Sequence, residues 1–294
     1  MNDLKKTIVF GGSGFLGSHV ADSLTERGFD VTIFDMKESP YLKESQNMIV
    51  GDILDLKQIE YAIKGNDIVY NFAGIADIDE CRKRPLDTIK CNILGNAQIL
   101  TSAVKNNIKK YLFASSAYVY SSSGSYYRIS KQSSELFVET FSEENKMDYT
   151  ILRYGSLYGD RAGDSNSLHR IIKTAIKKGK IDYYGDGSET REYIHVKDAA
   201  DLSVEALNEK YKNEILMLTG SEKIKYKDLL SMINEIFSNN IHIEMHLKRS
   251  KTHYKMSPYS FNPKMAKKLV SNPHIDLGQG ILTLIEEIHS KLNS

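Results

Sequence analysis

Tyr127 and Lys131 stand four positions apart in the run Tyr127-Arg128-Ile129-Ser130-Lys131. On a helix that spacing puts both side chains on one face, one turn apart. Together they make a proton-transfer pair. A phenol near pKa 10 needs roughly 4 kcal/mol of preference for its phenolate to act as a base near pH 7, and a neighbouring ammonium supplies part of it. With 18 tyrosines in the chain, the spacing also arises by chance. Upstream, the apolar run 111–114 leads into Ser115 and Ser116. A hydroxyl at the end of a strand can hold a substrate hydroxyl or the carbonyl it becomes; the plainer alternative is a solvated turn. Arg191 offers a planar guanidinium that matches phosphate oxygens bidentately, with a surface ion pair as its alternative.

The elements that must position these groups begin at the first strand. Residues 7–10 are apolar and lead into Gly11-Gly12-Ser13-Gly14-Phe15-Leu16-Gly17, which fits GxxGxxG from Gly11 and GxGxxG from Gly12. Glycine permits the unusual dihedrals of the turn and lets backbone N–H groups reach a pyrophosphate, and a following helix adds partial positive charge. A plain tight turn would need less. The position directly after a strand is what favours the phosphate loop. The next strand ends in Asp35, 18 positions after Gly17, where a carboxylate accepts from both ribose hydroxyls and repels a 2′-phosphate. This favours NAD over NADP, with Lys37 keeping NADP open. A third strand ends in Gly51-Asp52-Ile53, where Asp52 either meets the adenine amino group or simply makes a turn. An oxidised nicotinamide would add a second positive charge near Tyr127.

Apolar or β-branched runs at 7–10, 31–35, 48–50, 67–72, 110–114 and 149–154 alternate with stretches of helical period. That is the pattern of βαβ units, hence an α/β fold with a doubly wound parallel (Rossmann) sheet. Beyond residue 158 a polar stretch precedes an amphipathic helix through Leu168, Ile171, Ile172, Ala175 and Ile176, with Ser165 or Ser167 as its N-cap. Ile241, Ile243 and Met245 alternate as a strand with one buried face. We expect a dinucleotide-binding domain over residues 1–163. Residues 164–294 are expected mainly to form a smaller C-terminal α/β lobe that binds substrate, with parts returning to the first domain. A cleft between them is the natural site.

Composition bounds the alternatives. Hydrophobic residues at 41% and charged residues at 26% suit a globular protein. Lys and Arg total 39 against 38 Asp and Glu, so no bulk field draws the chain to nucleic acid or a membrane. Cys81 and Cys91 cannot form a zinc site alone, and no metal is expected. We read them as two buried thiols. With no leader-like or membrane-spanning run, a cytoplasmic location is expected.

Together the motifs resemble the extended short-chain dehydrogenase/reductases of the NAD-dependent sugar-nucleotide epimerase/dehydratase family. The resemblance runs in order through residues 11–17, Asp35, Gly51-Asp52, Asn71-Phe72-Ala73-Gly74, Asn92, Ser115-Ser116-Ala117, Tyr127 with Lys131, residues 153–159 and residues 184–198. It implies catalytic roles for Ser116, Tyr127 and Lys131. It also implies NAD contacts from Gly11, Ser13, Gly14, Phe15, Leu16, Gly17, Asp35, Met36, Asp52, Ile53, Phe72, Ala73, Gly74, Asn92 and Tyr154, besides Tyr127 and Lys131. On the substrate side it implies Ser156, Leu168, Arg191 and Tyr193, with Arg191 on the diphosphate. His195 takes a structural position. A homodimer built through a helical bundle is a further implication.

Three departures refine this. Tyr127 follows Ser116 by only eleven residues, where many sugar-nucleotide members have about two dozen, so the sugar pocket should be more open. Ala117 and Tyr118 replace the Asp-Glu pair of the 4,6-dehydratases, which disfavours dehydration. Ser156 replaces the usual asparagine. The expected activity is a sugar-nucleotide 4-epimerase working through a 4-keto intermediate. The alternatives are a 4-dehydrogenase or 4-reductase with net redox, and a non-catalytic NAD-binding protein.

Overall fold

Short β-rich runs separated by helical stretches return to one sheet as parallel neighbours, and here they build a seven-stranded one. The structure, a computed structural model, describes residues 6–121, 123–221 and 223–246. The first half holds β1 (Lys6–Phe10), α1 (Phe15–Glu26), β2 (Asp30–Asp35), β3 (Gln46–Val50), α2 (Leu56–Ile63), β4 (Ile68–Asn71), α3 (Ile78–Lys83), α4 (Pro85–Thr88), α5 (Gly95–Lys105), β5 (Lys110–Ser116), α6 (Ser125–Asn145) and β6 (Asp148–Tyr154). There follow β7 (Ser156–Tyr158), α7 (Ser167–Lys178), β8 (Lys180–Tyr184), β9 (Thr190–His195), α8 (Val196–Glu205), β10 (Glu214–Leu218), β11 (Lys223–Lys225), α9 (Tyr226–Ile236) and β12 (His242–His246).

The large sheet has the order β10-β6-β5-β4-β1-β2-β3, and every neighbouring pair is parallel. This is the doubly wound Rossmann-like α/β fold. Its order reverses between β1 and β4, the switch point at which connections part to opposite faces and open a crevice. Both faces are covered, as parallel sheets require. On one side Val9, Val31, Ile33, Tyr70, Leu112 and Leu152 pack on Val20 and Leu24 of α1 and Ala200 and Val204 of α8. On the other, Ile8, Phe10, Phe34, Tyr111 and Phe113 meet Ile59 and Ile63 of α2, Ile99 and Leu100 of α5, and Val138 of α6. All seven residues of β5 are buried, so the strand carrying Ser116 is held from both sides.

A smaller assembly follows the sixth strand. β9 pairs with β7 in parallel and with β11 antiparallel, while β12 lies parallel to β8. Its core gathers Leu168 and Ala175 of α7, Ile181 of β8, and Leu229, Leu230 and Ile233 of α9. The alternating run 241–245 is largely β12, but its expected buried face is incomplete: Ile241, just before the strand, is buried and Ile243 half-buried, while Met245 is exposed. The expected lobe boundary at 163/164 falls between β7 and α7, and the part of that lobe over 247–294 lies outside the described residues. α8 packs on α1, and β10 extends the large sheet beside β6.

Two local expectations need correction. The N-cap of α7 is Asn166, not Ser165 or Ser167: its Oδ1 accepts from the His169 N–H at 3.1 Å, and its amide donates to the Leu157 carbonyl at 2.8 Å. A serine has no amide arm for that second bond. Of the cysteines, both free, Cys81 is buried but Cys91 is only half-buried.

Candidate active site

The glycine loop owes its sequence to the switch point. Gly11 has φ +77°, and a Cβ there would lie 2.6 Å from the Ala73 backbone nitrogen. The end of β1 therefore touches the segment leaving β4 as only glycine permits. A Cβ on Gly17 would lie 2.3 Å from the Gly11 carbonyl oxygen, which fixes how closely α1 approaches the turn. The N-cap of α1 is Gly14, which offers no side-chain cap, and the first turn holds no acidic residue. Its leading N–H groups and positive dipole end thus face the crevice, the arrangement that suits an anion. At the end of β2, Asp35 Oδ2 accepts from the Ser13 N–H at 3.1 Å, which turns the carboxylate toward the loop.

A cavity of about 610 Å³ runs from this loop across the carboxyl ends of β1, β4, β5 and β6 to the smaller assembly. Gly11, Gly14, Phe15, Leu16, Gly17, Phe72, Gly74 and Tyr154 line it at the loop end. Ser116, Tyr127 and Lys131 line its middle, and Ser156, Arg191 and Tyr193 its far end. Residues expected from quite different stretches are thus brought together.

The middle is built by β5 and α6. The Ser116 hydroxyl accepts from the Tyr118 N–H at 3.2 Å, where the strand turns into a short 3₁₀ segment. Gly124 has φ +101° at the N-cap of α6, and a Cβ there would come within 2.7 Å of the Tyr118 ring. That close turn lets Tyr127, eleven positions after Ser116, line the same cavity. Lys131 is buried. Its Nζ donates to the Ala114 carbonyl at 2.7 Å and lies 4.9 Å from the Phe113 ring centroid and 5.9 Å from that of Tyr127. Burial lowers its pKa to about 8, so the ammonium persists at neutral pH and is lost as pH rises through that value.

Several expected contacts lie elsewhere. Asn92 does not line the cavity. It is buried behind the wall, accepting from the Ile75 N–H at 2.7 Å and donating to the Ile75 carbonyl at 3.0 Å and to Ser130 at 3.0 Å. Its amide is consumed in holding the segment after β4 against α6. Leu168 belongs to the core of the smaller assembly, because the apolar stripe of α7 turns it inward. Ile53 is likewise core, with a Cβ on Gly95 falling 2.7 Å from its Cδ1. The Ala73 N–H donates to Asn71 Oδ1 at 3.0 Å. Ser13 and Asp35, joined through the Ser13 N–H, border the loop end of the cavity without lining it, whereas Met36 points away, 65% exposed, and Asp52 Oδ1 accepts from the Leu54 N–H in a turn. His195 caps α8 through the Lys197 N–H.

The cavity also has walls that motif reading passes over. Asp77 and Asp79 enter from the start of α3, and Arg170 from α7. Tyr183 and Tyr226 stack with centroids 4.4 Å apart, and the Tyr183 hydroxyl donates to Glu189 at 2.6 Å. Burial pushes Tyr226 up to about 12, so it stays a neutral, flat surface. The alternation of Arg191 and Tyr193 on β9 was the available signal for this wall; its partner Tyr226 comes from a distant helix.

The family described as the NAD dependent epimerase/dehydratase family matches residues 7–218 of the chain. A UDP-N-acetyl-alpha-D-glucosaminuronate decarboxylase of Bacillus cytotoxicus is 28% identical over 258 residues, covering 79% of this chain and 80% of its own. A putative UDP-glucose 4-epimerase of Methanocaldococcus jannaschii is 27% identical over 300 residues, covering 95% and 96%. Among solved structures, a UDP-glucose 4-epimerase of Thermotoga maritima, determined with UDP-glucose, superposes with a TM-score of 0.79 at 25% identity, covering 87% of this chain and 89% of that one.

The carboxylate of Asp35 yields a direct test. Asp35→Ala should weaken NAD binding about tenfold or more, the loss of hydrogen bonds to a charged acceptor, and narrow the gap between NAD and NADP. Calorimetric titration with both dinucleotides reads this. Unchanged affinity for both would remove Asp35 from the site.

Proposed function

This chain belongs to the NAD dependent epimerase/dehydratase family, and we propose that it is the 4-epimerase of a nucleotide-activated sugar, with a UDP-sugar the first choice. The observation that carries the reading is the convergence of Ser116, Tyr127 and Lys131 on the cavity that the glycine loop opens. The glycine cradle, filled by a Cβ at Gly11 or Gly17, and the uncapped start of α1 fit a dinucleotide pyrophosphate. Gly14, Phe15, Leu16 and Gly17 would meet its phosphates, Asp35 its ribose, and Phe72, Gly74 and Tyr154 the passage toward the reaction centre. NAD, when bound, supplies an acceptor for hydride at the sugar carbon and its return donor.

The chain's own residues do the rest. Tyr127, as phenolate, takes the proton of the sugar 4-hydroxyl; the Lys131 ammonium favours that phenolate and needs no movement to do so. Ser116 donates to the oxygen as it becomes a carbonyl, a dipole aimed where charge develops. Tyr127 would give its proton back to the same oxygen as the carbonyl is reduced again, so that net redox would be zero. Arg191, with Arg170 on the same wall, matches the two phosphates, while Ser156 and Tyr193 border the nucleotide half. Ala117 and Tyr118 offer no carboxylic acid beyond Ser116, which argues against elimination of water. The short link between Ser116 and Tyr127 leaves room for the ketone to turn over, which supports the epimerase over a 4-dehydrogenase or 4-reductase. An enzyme role is favoured over a mere NAD binder because a binder has no use for a buried lysine beside a tyrosine.

The finer context belongs to the same proposal. Two free thiols suit the cytoplasm, and no helix among the described residues is long and apolar enough to cross a membrane. A homodimer is supported by an exposed apolar stripe on α6, Tyr126, Ile129, Leu136 and Phe137, together with Leu86, Ile89 and Leu94 near α5. At helical spacing that stripe suits a bundle with a second copy.

Incubation with UDP-, GDP- and dTDP-sugars, followed by mass and proton spectra, should give a product of unchanged mass and inverted C4, with turnover falling as pH rises through about 8, where Lys131 loses its proton. Tyr127→Phe should lose about a hundredfold or more of that turnover, and retention of near-normal turnover would sink the mechanism. In sedimentation the protein should run at twice the chain mass and Leu136→Glu at the chain mass; a monomeric parent protein would contradict the dimer.

A further inference from the structure

An ionic network lies buried behind the reaction centre and has no part in the steps above. On α6, Tyr127, Lys131 and Glu135 recur every four positions, so they share one face of the helix. Glu135 is 5% exposed. Arg153 on β6 grips it from both sides of the carboxylate, Nε to Oε1 at 2.8 Å and Nη2 to Oε2 at 2.6 Å. Oε1 also accepts from the Ser115 hydroxyl. Ser115 and Arg153 face each other across β5 and β6, and the next residue of each strand, Ser116 and Tyr154, lines the cavity. One carboxylate therefore fastens the helix bearing Tyr127 and Lys131 to the two strands bearing Ser116 and Tyr154.

A buried ion pair is a poor way to gain stability, because desolvation consumes much of the attraction. Its place beside Lys131 gives it another use. Burial disfavours that ammonium, and the groups that oppose the effect are Cys81 from α3 and Glu135. The Cys81 thiol is itself pushed up by burial, so at neutral pH it carries no charge. Burial also pushes the Glu135 carboxyl up, to about 7, against the Ser115 hydroxyl and the Lys131 ammonium, which favour its ionised form, as does the bidentate guanidinium of Arg153. Glu139, one turn further on, is raised by burial as well. Among the described residues, the anion left to serve Lys131 is Glu135.

We propose that Glu135 is a positioning residue for the reaction: clamped by Arg153 and Ser115, it supplies the anion that keeps the Lys131 ammonium beside Tyr127 and the anchor that sets α6 against Ser116. The inference rests on the reading of Tyr127 and Lys131 as the proton-transfer pair. Arg153 acts on the carboxylate, so removing both members of the clamp still takes the anion from Lys131.

The test is a spectroscopic titration of Tyr127 that needs no sugar substrate. Ultraviolet difference absorbance of tyrosinate is recorded against pH for the parent protein and for Glu135→Gln, each minus its Tyr127→Phe counterpart. The Tyr127 transition should move up by about one pH unit in Glu135→Gln, the scale of losing a nearby charge effect, and Glu135→Asp should restore part of it. The double variant Glu135→Gln/Arg153→Met leaves no unpaired buried guanidinium and serves if the single variant fails to fold; its transition should stay shifted. A Tyr127 transition in the double variant coincident with the parent's would overturn the proposal and leave Glu135 a purely structural clamp. Failure of the parent to turn over any nucleotide sugar would instead count against the proposed function, and the titration would still be read.

Discussion

Everything at this site depends on how closely two strands can part. β1 and β4 lie side by side, and the chain leaves them toward opposite faces of the sheet, so their carboxyl ends must pass almost in contact. Gly11 meets the Phe72–Ala73 backbone at a distance that no Cβ tolerates. From that contact follow the turn of the glycine loop and the uncapped start of α1 pointing into the crevice, and beside it Phe72 stacks on Tyr70 with ring centroids 6.0 Å apart. Asn92 then fixes the far side of the same passage by taking both the N–H and the carbonyl of Ile75.

The second constraint is electrostatic. A lysine buried among Phe113, Tyr127 and the Ala114 carbonyl keeps its charge only because partners were arranged around it during folding, and none has to move when a proton leaves a substrate. The packing of α6 on β5 and β6 is thus both a core contact and the means by which three polar groups meet. The positive end of α1 and the guanidinium groups of Arg191 and Arg170 line the same cavity.

Much of this is legible in the sequence because it is local. The parallel strands show as apolar runs, the close turn after β1 as its glycines, and the shared helix face of Tyr127 and Lys131 as a four-residue spacing. What escapes is long-range. Asn92 looks like a site residue and proves to be a strut, since nothing nearby in sequence tells that its amide faces Ile75. Leu168 follows the apolar stripe of its helix into the core rather than the cavity. Glu135 did carry a signal, four positions past Lys131, but its meaning comes from Arg153 and Ser115, which only the strand register brings to it. The cap of α7 depended on an amide arm reaching Leu157, which helix-start preferences do not encode.

The central claim is that hydride leaves and rejoins the same sugar carbon while Tyr127 shuttles one proton. A nucleotide sugar carrying deuterium at C4, converted in ordinary water, tests it most directly. The expected product has inverted C4 and keeps the deuterium there. Loss of the label to the medium, or a ketone that accumulates until an electron acceptor is added, would contradict it.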